Sequence, residues 1–379
     1  MALPATGQPM CHTRYLALRR FPALDGLRAI AALMVVFAHN NGPHWLQGWI
    51  GVQLFFVVSG FLITTLMLRE EDRSGQISFR DFYLRRVFRI LPVYFVVLAA
   101  TLLVQLGRGV LTTSTPGSEL PLYLFFFNEF GHGGIYGQSW SLGIEQKFYL
   151  LWPLLAFATI IAQRRAKTGL RIGITIALMT LSIATVPLTL GGDPRGWPAH
   201  YFSILIGCLV GILFHHPKGF ALFRPLTRPW VASAAVVLFV GAHLSISVTA
   251  NFIDRHDVFG DIPHLLPITP LYAVLVALLL LPALLADALP QRLLSFKPMV
   301  YLGERSYSIY LVHNLARLLA DYLCKLVGLD ITKGPLIFFV TATLAVGMAH
   351  FCYRWVELPM IEAGRRVIRR RKNDQVLAA

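Results

Sequence analysis

Three ionisable side chains stand inside apolar runs that should exclude them. His39 closes the run Leu24-Asp25-Gly26-Leu27-Arg28-Ala29-Ile30-Ala31-Ala32-Leu33-Met34-Val35-Val36-Phe37-Ala38-His39, Glu145 sits in Trp140-Ser141-Leu142-Gly143-Ile144-Glu145, and His313 ends Ser306-Tyr307-Ser308-Ile309-Tyr310-Leu311-Val312-His313. Imidazole titrates near neutrality, so it can take a proton from a hydroxyl, and a carboxylate or a second imidazole can orient it. Asp25 precedes Arg28 by three residues and Arg28 precedes His39 by eleven. On an α-helix the three share a face, with His39 roughly 16 Å above Arg28. The plain alternative is an interfacial Asp25–Arg28 ion pair with a hydrogen-bonded histidine at the far headgroups. Glu145 lies four residues after Ser141, on its face. An aromatic belt accounts for Trp140, Phe148 and Tyr149 but not for a carboxylate within a span. Tyr310 precedes His313 by three and shares its side, although hydroxyls and imidazole also serve as glue between membrane helices.

A different chemistry is suggested by Arg80-Asp81-Phe82-Tyr83-Leu84-Arg85-Arg86-Val87-Phe88-Arg89-Ile90-Leu91-Pro92-Val93-Tyr94. Arg86 and Arg89 project together from one helical face, and forked guanidinium donors suit phosphate oxygens. A basic cluster at the inner end of a membrane span also arises without any ligand.

The elements that must position these groups follow from composition. Of 379 residues, 56% are hydrophobic and 14% charged, outside the range of an ordinary soluble domain. Apolar runs near the roughly 20 residues that cross a bilayer recur along the chain. They give ten candidate spans, at about 22–40, 49–68, 87–106, 140–162, 172–190, 199–214, 230–249, 266–286, 299–318 and 335–354. The expectation is an all-α polytopic transmembrane helical bundle with both termini cytoplasmic. Residues 1–21 form a cytoplasmic segment, 22–357 the membrane domain and 358–379 a basic cytoplasmic tail. With that orientation, 25 of the 34 lysines and arginines fall on inner segments, 5 on outer ones and 4 within spans or at their edges. The net charge of +15 is then the positive-inside asymmetry, and nucleic-acid binding loses its motive. The four cysteines are widely spaced, without metal-ligand or disulfide-scaffold patterning. The first apolar run carries Asp25 and Arg28 and lacks a small-residue cleavage site, so it is expected to stay as the first span. The outer connection 107–139 has an apolar centre, Leu120 to Phe127, that is too short to span and reads as interfacial or re-entrant.

Taken together, the Leu24-to-His39 run, Gly51-Val52-Gln53-Leu54-Phe55-Phe56-Val57-Val58-Ser59-Gly60-Phe61, the Arg86-to-Tyr94 segment, Trp140 to Tyr149 and Ser306 to His313 resemble the acyltransferase-3 family of integral-membrane O-acyltransferases. The likeness runs from about Phe21 to Glu357. It implies ten core helices, acyl-coenzyme A (usually acetyl) as donor, no metal, and a saccharide or other hydroxylated acceptor. By position, His39 resembles the catalytic histidine, with Asp25 and Arg28 as companions. Arg86 and Arg89 match the donor-associated arginine pair, joined by Tyr94, and Glu145 matches the acid of the Trp-Ser-Leu motif. Trp140, Ser141, Tyr310 and His313 are placed beside the acceptor or in support. Gln53 stands where many members carry Asp. Some relatives append an esterase-like domain for which this chain has no room, so it is expected to work alone or with a separate partner. The resulting expectation is a multi-pass protein of the bacterial inner membrane that meets acyl-CoA, lipid and an extracytoplasmic glycan such as peptidoglycan or lipopolysaccharide. The rival is a transporter or flippase for a lipid-linked or hydrophobic substrate, for which neither inverted repeats nor paired broken helices are visible.

Overall fold

A computed structural model describes residues 9–158, 168–189, 197–256, 265–326, 328 and 336–377. Among these residues the regular structure is helical and no strand occurs. Seven helices are long and apolar enough to cross a membrane, at 48–74, 79–107, 168–188, 197–215, 229–255, 267–285 and 336–371. Three expected spans depart from that pattern. Helix α2, Pro22–Ala38, has 17 residues. The expected span at 140–162 begins as a 14-residue helix, Trp140–Pro153, followed by a π turn, Leu154–Ala158; its remainder lies outside the described residues. The span expected at 299–318 breaks at Arg305 into Lys297–Glu304 and Ser306–Leu326, and the latter carries Arg317, Asp321 and Lys325. Charge on one face is what denies this helix the profile of a plain apolar span.

The described chain divides into two compact units. The first takes in residues up to 38, 42–77 and 151–304. It contains α1 (His12–Ala17), α2, α3 (Gly51–Ser74), α7 (Thr168–Ala184), α8 (Trp197–His215), α9 (Pro217–Phe223), α10 (Pro229–Arg255), α11 (Leu265–Leu275), α12 (Leu281–Leu285), α13 (Leu289–Leu294) and α14 (Lys297–Glu304). Its centre is the pairing of α3 with α8. A Cβ on Gly60 would lie 1.9 Å from the Ile204 carbonyl oxygen, and one on Gly207 would lie 2.1 Å from that of Val57. Small residues at a membrane-helix interface admit such close approach, and dispersion contacts replace the hydrophobic drive that lipid removes. Two polar contacts stand in this interior. Arg171 forks onto both Glu71 oxygens at 2.9 and 2.8 Å, and Gln53 faces His200 Nδ1 at 2.9 Å.

The second unit takes in 39–41, 78–150 and residues from 305 onward. It comprises α4 (Phe79–Gly107), α5 (Leu120–Leu124), most of α6 (Trp140–Pro153), α15 (Ser306–Leu326), α16 (Leu336–Cys352) and α17 (Leu358–Leu377). Ser78 caps α4 by accepting the Asp81 N–H at 3.3 Å. Pro92 interrupts the ladder of α4, and the Tyr307 hydroxyl donates to the Ile90 carbonyl beside it at 2.9 Å. A π turn, Tyr353–Glu357, joins α16 to α17. Residues 358–377 thus continue the helical path that begins at Leu336. It returns along α4, where Gly364 meets Phe88 and Arg371 pairs with Asp81 at 3.1 Å.

Candidate active site

His39 follows the last residue of α2. The helix closes because Asn41 adopts φ +55° and the Gly42 N–H returns to the Phe37 carbonyl at 3.0 Å, a Schellman-type ending. This ending places His39 in the closing turn, with its side chain exposed. Its ring faces the fully buried ring of His313, with centroids 5.0 Å apart and planes 57° to each other. One turn further along α15, Arg317 donates to the His39 carbonyl at 2.8 Å and to Asn40 Oδ1 at 3.3 Å.

Below His313 on the same helix, the Tyr310 hydroxyl lies 2.8 Å from Ser141 Oγ and donates to the Gln138 carbonyl. The Gln138 side chain donates to the Leu311 carbonyl at 2.7 Å and accepts from Asn314 at 2.7 Å. The turn before α6 is thus fastened to α15 through these contacts, fixing Ser141 against Tyr310.

One turn on from Ser141, Glu145 accepts the Tyr149 hydroxyl at 3.1 Å. The Arg86 guanidinium lies over the same Tyr149 ring, 5.2 Å from its centroid, and 5.6 Å from that of Phe82. Cation–π contact holds this arginine without consuming its N–H fork. Arg89 follows on α4, half-buried. The result is a row of positive, aromatic and acidic groups running between α4 and α6.

The connection after α4 is tied down by side-chain hydrogen bonds. Asn128 donates to both the Tyr94 hydroxyl and Ser139 Oγ at 2.7 Å, and Tyr94 donates to the Tyr123 carbonyl at 2.8 Å. Lys147 bridges Glu129 at 2.6 Å and the carbonyls of Phe126 and Gly143. Phe126 has φ +60°, an uncommon conformation that the lysine's grip on its carbonyl holds in place.

Against known proteins, the family model described as an acyltransferase domain matches residues 21–353. The chain belongs to this acyltransferase family. It is a multi-pass membrane member, given its apolar helices. Similar relatives include the Bacillus subtilis protein YrhL, 29% identical over 382 residues, covering 95% of this chain and 57% of the relative. The peptidoglycan O-acetyltransferase OatA of Listeria monocytogenes is 26% identical over 372 residues, covering 93% and 57%. The O-acetyltransferase OatA of Staphylococcus aureus is 28% identical over 368 residues, covering 91% and 58%. The chain thus spans a little over half the length of these relatives. No solved structure matches it.

Within this acyltransferase the expected residues form two sets in the second unit, His39 with His313 and Glu145 with Arg86. Ser141 and Tyr310 stand between them on α6 and α15. Trp140 opens α6 half-buried. Tyr94, expected at the donor, is enclosed and uses its hydroxyl to hold the connection between α4 and α6. Asp25 and Arg28 lie in the first unit and approach each other at 3.9 Å. Sequence reasoning missed Arg317, Gln138 and Asn314, and it took Tyr149 for an interfacial aromatic. Arg317 carried a signal in its spacing, four residues after His313 on the same helical face.

Proposed function

We propose that this protein is a membrane O-acyltransferase that moves an acetyl group from acetyl-CoA, bound on the arginine-rich cytoplasmic side, to a hydroxyl of an extracytoplasmic glycan. The observation that carries the reading is an exposed imidazole, His39, at the end of an apolar helix in a member of an acyltransferase family. The relatives named for O-acetyl transfer to peptidoglycan support a peptidoglycan-type acceptor over lipopolysaccharide. Arg86 and Arg89 hold the donor phosphates, with Arg86 kept in place by the Tyr149 ring. Glu145 keeps Tyr149 in register with Arg86. His39 removes the acceptor's hydroxyl proton as its oxygen attacks the thioester carbonyl. Asp25 and Arg28 serve as an ionic brace at the opposite end of the His39 helix.

The test is acetyl transfer from labelled acetyl-CoA by purified protein in nanodiscs. His39→Ala is expected to lower turnover by roughly 10²-fold or more, the usual contribution of a positioned general base, with the protein still inserted and monodisperse. Turnover within a factor of a few of the wild type overturns the assignment.

A further inference from the structure

His313 is held more specifically than a helix-packing residue requires. Its side chain is fully buried, and Nδ1 lies 2.7 Å from the Tyr310 carbonyl. A carbonyl only accepts, so Nδ1 carries the hydrogen, and the neutral ring then presents a lone pair at Nε2. That nitrogen is buried and has no hydrogen-bond partner among the described residues. Buried polar atoms in this condition are uncommon and call for an explanation.

The nearby ring of His39 supplies one. A centroid separation of 5.0 Å leaves room for one N–H···N hydrogen bond between the two rings. The same helix prevents the backbone from drifting, since Arg317 binds the His39 carbonyl and Asn40 from the next turn. The middle of α15 therefore meets His39 twice, by main chain and by ring.

We propose that His313 Nε2 accepts a hydrogen bond from the ring N–H of His39, fixing the tautomer in which the other His39 nitrogen faces the acceptor hydroxyl. His313 is then a positioning residue, the counterpart of the buried carboxylate that orients the histidine of a serine-hydrolase triad. It does this without adding a negative charge to the interior. The inference rests on His39 being the base. In the step it serves, the acceptor O–H gives its proton to His39 and its oxygen forms a bond to the thioester carbonyl carbon. The carbon–sulfur bond then breaks, and the departing thiolate takes the proton from His39 to leave as the free thiol of coenzyme A. His313 changes neither charge nor bonding partners beyond the shared hydrogen bond.

Two substitutions separate this role from packing. His313→Leu fills the space without an acceptor, whereas His313→Gln puts an amide oxygen near the position of Nε2. With acetyl-CoA as substrate, His313→Leu is expected to lower kcat about 100-fold with KM for acetyl-CoA within about threefold, the signature of an effect confined to the reacting state. His313→Gln is expected to recover at least about tenfold of that loss. Equal impairment of both variants, or near-normal turnover of the leucine variant, overturns the proposal. His39→Ala in the same assay separates the two levels: if it stays active, the base assignment falls first, whereas an inactive His39→Ala beside an active His313→Leu defeats only the positioning role. Should the leucine variant fail to fold, nitrogen NMR of ¹⁵N-histidine wild-type protein decides. A His39 N–H signal coupled across a hydrogen bond to a bare histidine nitrogen supports the pairing, and uncoupled rings refute it.

Discussion

Arg86 illustrates how a residue legible in the sequence acquires its meaning from one that was not. Its type and its three-residue spacing from Arg89 marked it for phosphate. In sequence, Tyr149 reads as membrane-belt decoration, because a tyrosine near a span end is usually that. In the structure Tyr149 is buried, stacks under the guanidinium and donates to Glu145, so two motifs far apart in sequence become one row. His39 and His313 were legible for a simpler reason: an imidazole is conspicuous in an apolar run. Arg317 was passed over because a basic residue near a span end needs no explanation. If the row holds the donor, removing the fork should cost charge-assisted hydrogen bonds to phosphate. Arg86→Ala is expected to weaken acetyl-CoA binding by roughly tenfold or more, read by calorimetry in detergent. Arg86→Lys should restore only part of it, because an ammonium lacks the planar fork. Unchanged affinity in the alanine variant places the donor's phosphates elsewhere.

Among the elements, the long helices were readable from apolar length, while the connection between α4 and α6 was readable only as a segment whose apolar centre is too short to span. What shapes it is polar detail without periodicity, in the Asn128, Lys147 and Gln138 contacts that no windowed pattern reports. At its outer edge Glu119 accepts the His132 backbone N–H at 3.0 Å and also contacts the His132 ring. Burial pushes the Glu119 carboxyl up, but hydrogen bonds from the His132 side chain and backbone outweigh it and hold the group below its ordinary range. The sign follows from linkage. A carboxyl whose folded pKa lies below its unfolded value contributes stability that is fully present above the unfolded value and is lost as pH falls through the folded one. Hydrogen-exchange protection across residues 115–133, relative to intrinsic rates at each pH, is therefore expected to hold at neutral pH and to fall once pH drops below the carboxylate range. Glu119→Gln should flatten that dependence. A loop that loosens equally in the glutamine variant owes its acid sensitivity to something else.

For the whole molecule, the division into two units was hidden because each is assembled from separated segments. Residues 39–41 and 78–150 join those from 305 onward, while the first unit draws on both sides of them. Apolar periodicity assigns each helix an environment but not a partner. Partnership in the first unit is set by glycine, at Gly60 against Ile204 and Gly207 against Val57. Both glycines look ordinary in sequence, since membrane helices are rich in glycine. Their importance is in the absence of a Cβ, and substitution measures it. At Gly60 a methyl would meet a backbone oxygen that has no rotamer with which to escape, so α3 and α8 would have to separate. Overpacking of this kind costs about 1–3 kcal/mol or more, and Gly60→Val is expected to lower the melting temperature in detergent by several degrees. Gly241, on α10, has nothing within 4 Å of its absent Cβ. Gly241→Ala should therefore leave melting unchanged or raise it slightly, since alanine favours the helix by about 0.8–1.0 kcal/mol over glycine. Similar melting of the two variants would mean that the α3–α8 contact is not what holds the first unit together.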